Sequence, residues 1–255
     1  MKVRRARGTT LSAVTERLPL FPLNTVLYPG LVMPLNVFEE RYRRLVADLL
    51  EQPEDQPRRF GVLAIKDGRE VAPVRPEDGP AGPLDGLGTE TGDPLEALHH
   101  IGCVADLTSV QPQPDGRYEL LVTGTTRFWL RSVDVGGPYL VGELEPIEER
   151  TGEGSGALAA EVERIFRTYQ RRLAGAREAS TVGRPELPED PQVLSYLVAA
   201  ATVLEVPLKQ QLLACPDNAQ RLRTELDLLR RETAVLGWLP SLPAVDLTRQ
   251  SFSPN

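Results

Sequence analysis

His99, His100 and Cys103, in the run LHHIGC, come nearest in type and spacing to a metal site. On a strand His99 and Cys103 would share a face and offer zinc a nitrogen and a sulfur donor. A fourth ligand is missing nearby, and the plainer reading is a small core cysteine with two histidines at a strand start. The same Cys and His types could serve nucleophilic catalysis, but the sequence names no oxyanion donor and no third, orienting group. A phosphate-cradling loop needs Gly-Lys followed by Ser or Thr. Lys2, Lys66 and Lys209 precede Val3, Asp67 and Gln210, which excludes nucleotide hydrolysis by that route. Neither an HExxH zinc motif nor a GxSxG nucleophile elbow occurs. The carboxylate pairs Glu39-Glu40 and Glu148-Glu149 sit where a solvated helix face or loop explains them. The expectation is a chain with no catalytic residue, no metal and no cofactor.

The composition is that of an ordinary soluble globular protein. The chain has 255 residues, 41% hydrophobic and 25% charged, enough for one large domain or two ordinary ones, and two are expected. No run approaches a membrane span, and the basic start MKVRRARGTTLSAVTERL lacks the apolar core of a secretory signal. Two cysteines 112 positions apart make no disulfide framework, so a reducing, cytoplasmic location is expected. A net charge of −7 works against a phosphate backbone, and neither nucleic acid nor membrane is expected as a partner. Trp129 and Phe128 are neighbours in RFWLRSV, so at most one of them faces the core.

The elements that must position these residues fall into two halves. LPLFPLNTVLYPGLVMPLNVFEERYRRL, residues 18–45, sets Pro19, Pro22, Pro29 and Pro34 among strand-forming residues. Tyr28-Pro29-Gly30-Leu31 fits a type II turn. Because proline cannot donate to a ladder, the stretch is expected along a barrel rim rather than through a central strand. Asn36 and Glu39 have the spacing of a helix capping box, with Phe38, Tyr42, Leu45, Val46 and Leu49 on one face of the helix that follows. Glu39 and Arg43, and Glu40 and Arg44, are spaced for i,i+4 pairs. FGVLAI and residues 69–74 read as a hairpin about Lys66-Asp67-Gly68, and residues 75–95, rich in Pro, Gly and acids, as a mobile loop.

From His100 to Ile147, IGCVADLTSV, YELLVTG, RFWLRSVDV and YLVGELEPI follow one another with tight turns between, which implies an antiparallel sheet curled into a barrel. Beyond the polar connection RTGEGSG the pattern is helical. Helices are expected over 157–178 and 192–205, after Pro207, and after Asp217, the last with Arg221, Arg223, Glu225 and Arg230 on its polar face. The expected organisation is a flexible tail at 1–17, a β-barrel domain over 18–149, a helical bundle over 150–239 and a loose tail at 240–255.

LPLFPLNTVLYPGLVMPLNVFEERYRRLV resembles the opening of the amino-terminal substrate-binding domain of Lon proteases, in which two Pro-bearing strands flank a Tyr-Pro turn and lead into a helix. GVLAIKDG is similar to that family's next hairpin, HHIGCVADLTSV to its Gly-x-x-Ala strand, and DGRYELLVTGTTRF to a strand pair ending in Gly-x-x-Arg, here Gly124 and Arg127. VLSYLVAAATVLEVPLKQQLLACPDNAQRLRTELDLLRRE is similar to the helical segment of that domain. The resemblance covers about residues 18–235 and implies an α+β fold: an amino-terminal antiparallel pseudo-barrel (PUA-like) followed by a carboxy-terminal helical bundle. It further implies a stand-alone substrate-binding domain of a cytoplasmic, bacterial protein, without the ATPase and protease modules. Loop 75–95 has no counterpart in the family.

The function this implies is non-catalytic recognition of unfolded or apolar peptide segments, in a groove between barrel and bundle. Tyr28, Met33 and Phe38 are the candidate lining residues, unless all three simply fill the core. An adaptor or regulator whose helical half docks on a protease or another assembly is an alternative, discriminated by a leftover apolar stripe on the last helix. A third is a PUA-like barrel for RNA or a small ligand.

Overall fold

A computed structural model describes residues 15–53, 55–66, 94–176 and 186–238. In chain order the elements are β1 (Glu16–Leu23), β2 (Val32–Val37), α1 (Glu40–Leu50), β3 (Arg59–Ala64), α2 (Pro94–Ala97), β4 (Ile101–Pro112), β5 (Tyr118–Asp134), β6 (Val141–Pro146), α3 (Ser155–Ala176), α4 (Pro191–Ala201), α5 (Val206–Leu213) and α6 (Asn218–Trp238). The described residues divide into two compact units, those up to Glu149 together with Val203–Cys215, and Arg150–Thr202 together with those from Pro216 onward.

In the first unit the strands run β2-β5-β4-β3-β1-β6, and a further β5–β6 pairing closes five of them into a ring with β2 appended to β5. The pairings are antiparallel except β1 with β3, which is parallel because β2 and α1 intervene as a crossover between the two strands. Neighbouring residues alternate between two apolar clusters. Phe21, Val62 and Cys103 pack with Tyr42, Leu45, Val46 and Leu49 of α1, whereas Leu20, Leu63 and Val104 pack with Phe128, Leu130 and Leu144. Burial on both faces explains why FGVLAI and IGCVA read as unbroken apolar runs rather than alternating ones.

The prolines divide between two strands. β2 is the terminal strand, so Pro34 lies at a rim as expected. β1 does not: it runs between β6 and β3. It accommodates its prolines because each half has one registered partner, Glu16–Pro19 opposite β6 and Leu20–Leu23 opposite β3.

Local signals were overridden where ladders compete. The β2–β5 ladder extends to Val37 opposite Tyr118, which commits Asn36 to the sheet. The helix cap falls instead on Glu39, whose side chain makes no capping bond and accepts from Arg41 at 2.5 Å. Arg44 pairs with Asp48 at 2.9 Å rather than reaching back to Glu40. YELLVTG and RFWLRSVDV merge into the single 17-residue β5. Gly124 lets β5 pass close to the turn before β2, since a Cβ there would stand 2.2 Å from the Tyr28 carbonyl oxygen. The strand expected over 69–74, and all of loop 75–95 except its last two residues, lie outside the described residues.

The second unit packs α3, α4 and α6 around Val162, Phe166, Tyr169, Leu194, Val198, Leu222, Leu226 and Leu229. Asp190 caps α4, its carboxylate accepting from the N–H groups of Gln192 and Val193 at 2.8 and 2.9 Å, with Pro191 in the first turn. α5, which the sequence groups with the helices, belongs to the first unit. On α6, Arg223 and Arg230 are exposed, but Arg221 and Glu225 are buried rather than on a wet face.

Candidate functional site

β2 carries the candidate site. Odd positions point inward: Leu35 and Val37 are buried and Met33 is half-buried against the first cluster. Even positions, Val32, Pro34 and Asn36, are exposed, Val32 at 58%. They stand opposite Thr123, Leu121 and Glu119 of β5, where Leu121 is also exposed. Phe38, just past the strand, is 63% exposed, because the chain leaves the ladder before α1 begins to pack. Val32, Pro34 and Leu121 thus leave apolar groups in water on one face of a strand that has one partner among the described residues, and Phe38 adds another just past its end. Such groups are informative when they gather, since single exposed apolar residues are ordinary.

The three sequence candidates separate. Phe38 is open to solvent and Met33 is partly so. Tyr28 is 1% exposed, and its hydroxyl donates to the Lys209 carbonyl oxygen at 2.8 Å, so as folded it offers no surface to a ligand. Sequence reasoning missed Val32 and Leu121. The alternation of Val32, Pro34 and Asn36 against Leu35 and Val37 was the available signal for Val32. Nothing local marked Leu121 as its neighbour.

The other chemistry-bearing residues have structural roles. Cys103 is inside the first cluster, where burial pushes its thiol pKa far up and leaves it inert. His99 precedes β4, and burial, with Lys66 and His100, holds its imidazole below the ordinary 6.5. Among the described residues no three His, Cys, Asp or Glu side chains gather as a metal site would require. Phe128 is buried and Trp129 is exposed beside the Arg131 guanidinium, 5.7 Å from its ring centre. Arg127 is fully buried. Its Nε and Nη2 donate to Glu149 at 2.6 and 3.2 Å, and its Nη1 donates to the carbonyls of Leu213 and Cys215, both at 2.7 Å. With Tyr28, and with Gln210 donating to the Ile101 carbonyl at 2.7 Å, Arg127 fastens α5 to the strands.

These features define a class, an α+β domain with a closed five-stranded ring, an appended edge strand and a helical unit. Comparison narrows it to a family. The ATP-dependent protease La (LON) substrate-binding domain matches residues 17–231, and the chain belongs to that family. Lon protease 2 of Syntrophobacter fumaroxidans is 29% identical over 206 residues, 80% of this chain and 23% of its own length. The Lon protease of Anaeromyxobacter dehalogenans is 27% identical over 226 residues, 86% of this chain and 24% of its own length. The chain therefore spans about a quarter of these relatives. Two solved structures share the fold. One is a Lon N-terminal domain protein from Xanthomonas campestris, with TM-score 0.53 and 23% identity, covering 88% of this chain and 99% of that one. The other is the N-terminal domain of Mycobacterium avium complex Lon protease, with TM-score 0.57 and 21% identity, covering 84% and 98%. Among the described residues no helix is long and apolar enough to cross a membrane.

Proposed function

We propose that this chain is a non-catalytic recognition protein of the cytoplasm that binds apolar segments of unfolded polypeptides, with β2 and the Phe38 corner as its contact surface. The observation that carries the reading is the exposure of Val32, Pro34 and Leu121 on one face of the edge strand, and of Phe38 just past its end, on a chain of a substrate-binding family. Burying one such side chain contributes roughly 1.5–3 kcal/mol, and ordering the peptide offsets part of it, so two or three contacts by themselves support weak, reversible binding, no tighter than high micromolar. Reversibility suits a module that must take up and release many sequences.

Fluorescence anisotropy with a panel of peptides from unfolded proteins tests the reading. Binding in the micromolar range that Phe38→Asp and Val32→Asp each weaken about tenfold is expected. Lack of binding by the whole panel at high micromolar concentration removes the proposal. Docking through the last helix is less favoured. The exposed positions of α6 include Gln220, Arg223, Asp227, Arg230 and Arg231, and Val235 is its exposed large apolar residue among those described. That is a polar face and not the apolar stripe an adaptor reading needs.

A further inference from the structure

We infer that the occupant of β2 is an extended peptide that joins the sheet as an antiparallel strand, apolar beside Val32 and Pro34 and basic beside Asn36. The inference rests on the peptide-binding function proposed above and specifies its geometry.

The Gly124 N–H donates to the Leu31 carbonyl at 2.8 Å, and the β2–β5 register, Val32 opposite Thr123, sets Leu31 opposite Gly124. Bonded pairs alternate along an antiparallel ladder, so Met33, Leu35 and Val37 turn their backbone groups to β5. Val32, Pro34 and Asn36 then turn theirs to the other edge, where β2 has no strand neighbour among the described residues. Pro34 fits this parity, because a residue without an N–H is tolerated only where the partner strand needs no donor. The edge offers three carbonyls and two N–H groups. A peptide strand laid against it makes five of six bonds.

The occupant's chemistry follows from the side chains alongside. Peptide residues opposite Val32 and Pro34 lie on the outer face with Val32, Pro34, Leu121 and Thr123, none of them charged. The Asn36 end carries both signs, with Arg43 against the Gly116 turn and Arg117 paired to Asp115, but the charge in register with Asn36 on the outer face is the exposed carboxylate of Glu119. A lysine at that end of the peptide meets complementary charge. A second copy of this chain fits worse: two β2 strands paired about Pro34 would set proline opposite proline and lose both central bonds.

The probe is a fluorescein-labelled peptide Lys-Thr-Val-Ser-Val-Thr-Val, whose first, third and fifth residues fall opposite Asn36, Pro34 and Val32. Methylating the backbone nitrogen of the third or fifth residue should weaken binding about tenfold or more, and of the second or fourth by less than about twofold. Pro34→Thr, which restores the sixth bond, should tighten binding about fivefold. Glu119→Lys should abolish the preference for a first-position lysine over glutamate. Equal loss at every methylated position, or an unchanged affinity in Pro34→Thr, overturns strand addition. An unchanged lysine preference in Glu119→Lys overturns the charge assignment. If the unfolded-protein panel binds and this probe does not, the inference fails alone. If neither binds, the peptide-binding function fails with it.

Discussion

Arg127 is an ionised side chain taken wholly out of water, which is tolerable because its hydrogen bonds go to a carboxylate and to the carbonyls at the end of α5, the negative pole of that helix. Replacing it by Met leaves Glu149 and two carbonyls without their donor. The expected loss is about 3 kcal/mol, the low end for a broken buried pair because Glu149 keeps 24% of its side chain exposed; urea unfolding measures it. Gly124→Ala should cost about 1–3 kcal/mol, since its Cβ would overlap the Tyr28 carbonyl. Glu225 has the opposite character to Arg127. Its two carboxylate oxygens are buried and accept no hydrogen bond from the described residues, while Arg221, one turn away, donates to Ser195 and Tyr196. Burial pushes the Glu225 carboxyl well above its ordinary 4.5, with Arg221 pulling it partly back. The folded state therefore holds a proton that the unfolded state releases, and stability is full below about pH 4.5 and falls as pH rises through the folded value. Urea midpoints measured across pH should show that decline in the wild type and a flatter profile in Glu225→Gln.

At the scale of elements, β2 and α5 do opposite work. α5 is a short helix held by polar tethers from Tyr28, Gln210 and Arg127 at both its body and its end, so its place is over-determined. β2 is held by one ladder and by Leu35 and Val37 beneath it, and its outer residues contribute little to folding. Val32→Asp and Phe38→Asp should accordingly leave the unfolding free energy, measured in urea, within about 0.5 kcal/mol of wild type while peptide affinity falls. A loss of stability equal to the loss of binding would show these residues to be packing and not contact surface. Pro34 makes this edge selective, since it withholds a donor from any neighbour that needs a full ladder.

At the scale of the whole molecule, the net charge of −7 biases every encounter. Basic peptides should bind more tightly than acidic ones of equal apolar content, and the difference should shrink as salt rises from about 50 to 500 mM, where screening shortens the reach of surface charge. Titration with a homopolymer RNA at low salt should give no mobility shift, because the net charge of −7 opposes a phosphate backbone.

Strand and helix existence was legible in the sequence because apolar periodicity and turn residues are local: β3, β4, α3, α5 and α6 lie where those patterns set them, and α4 stops at Ala201, four residues short of its expected end. Phe38 was nominated from its place near the Pro-bearing corner, but its exposure was not readable, since helical spacing put it on the same face as Tyr42 and Leu45. Which strand met which was beyond local pattern. The parallel β1–β3 pairing, the merging of two runs into β5, the capture of α5 by the strand unit and the burial of Arg221 and Glu225 all depend on partners distant in sequence. By itself the sequence determined that this is an α+β, Lon-type chain without a Walker lysine, since order of elements and absence of motif residues are properties of a string. Only the tertiary structure decided which residues stand in water, because exposure is set by what packs alongside: of the candidates Tyr28, Met33 and Phe38 it buries the first, half-buries the second and exposes the third, and it adds Val32 and Leu121.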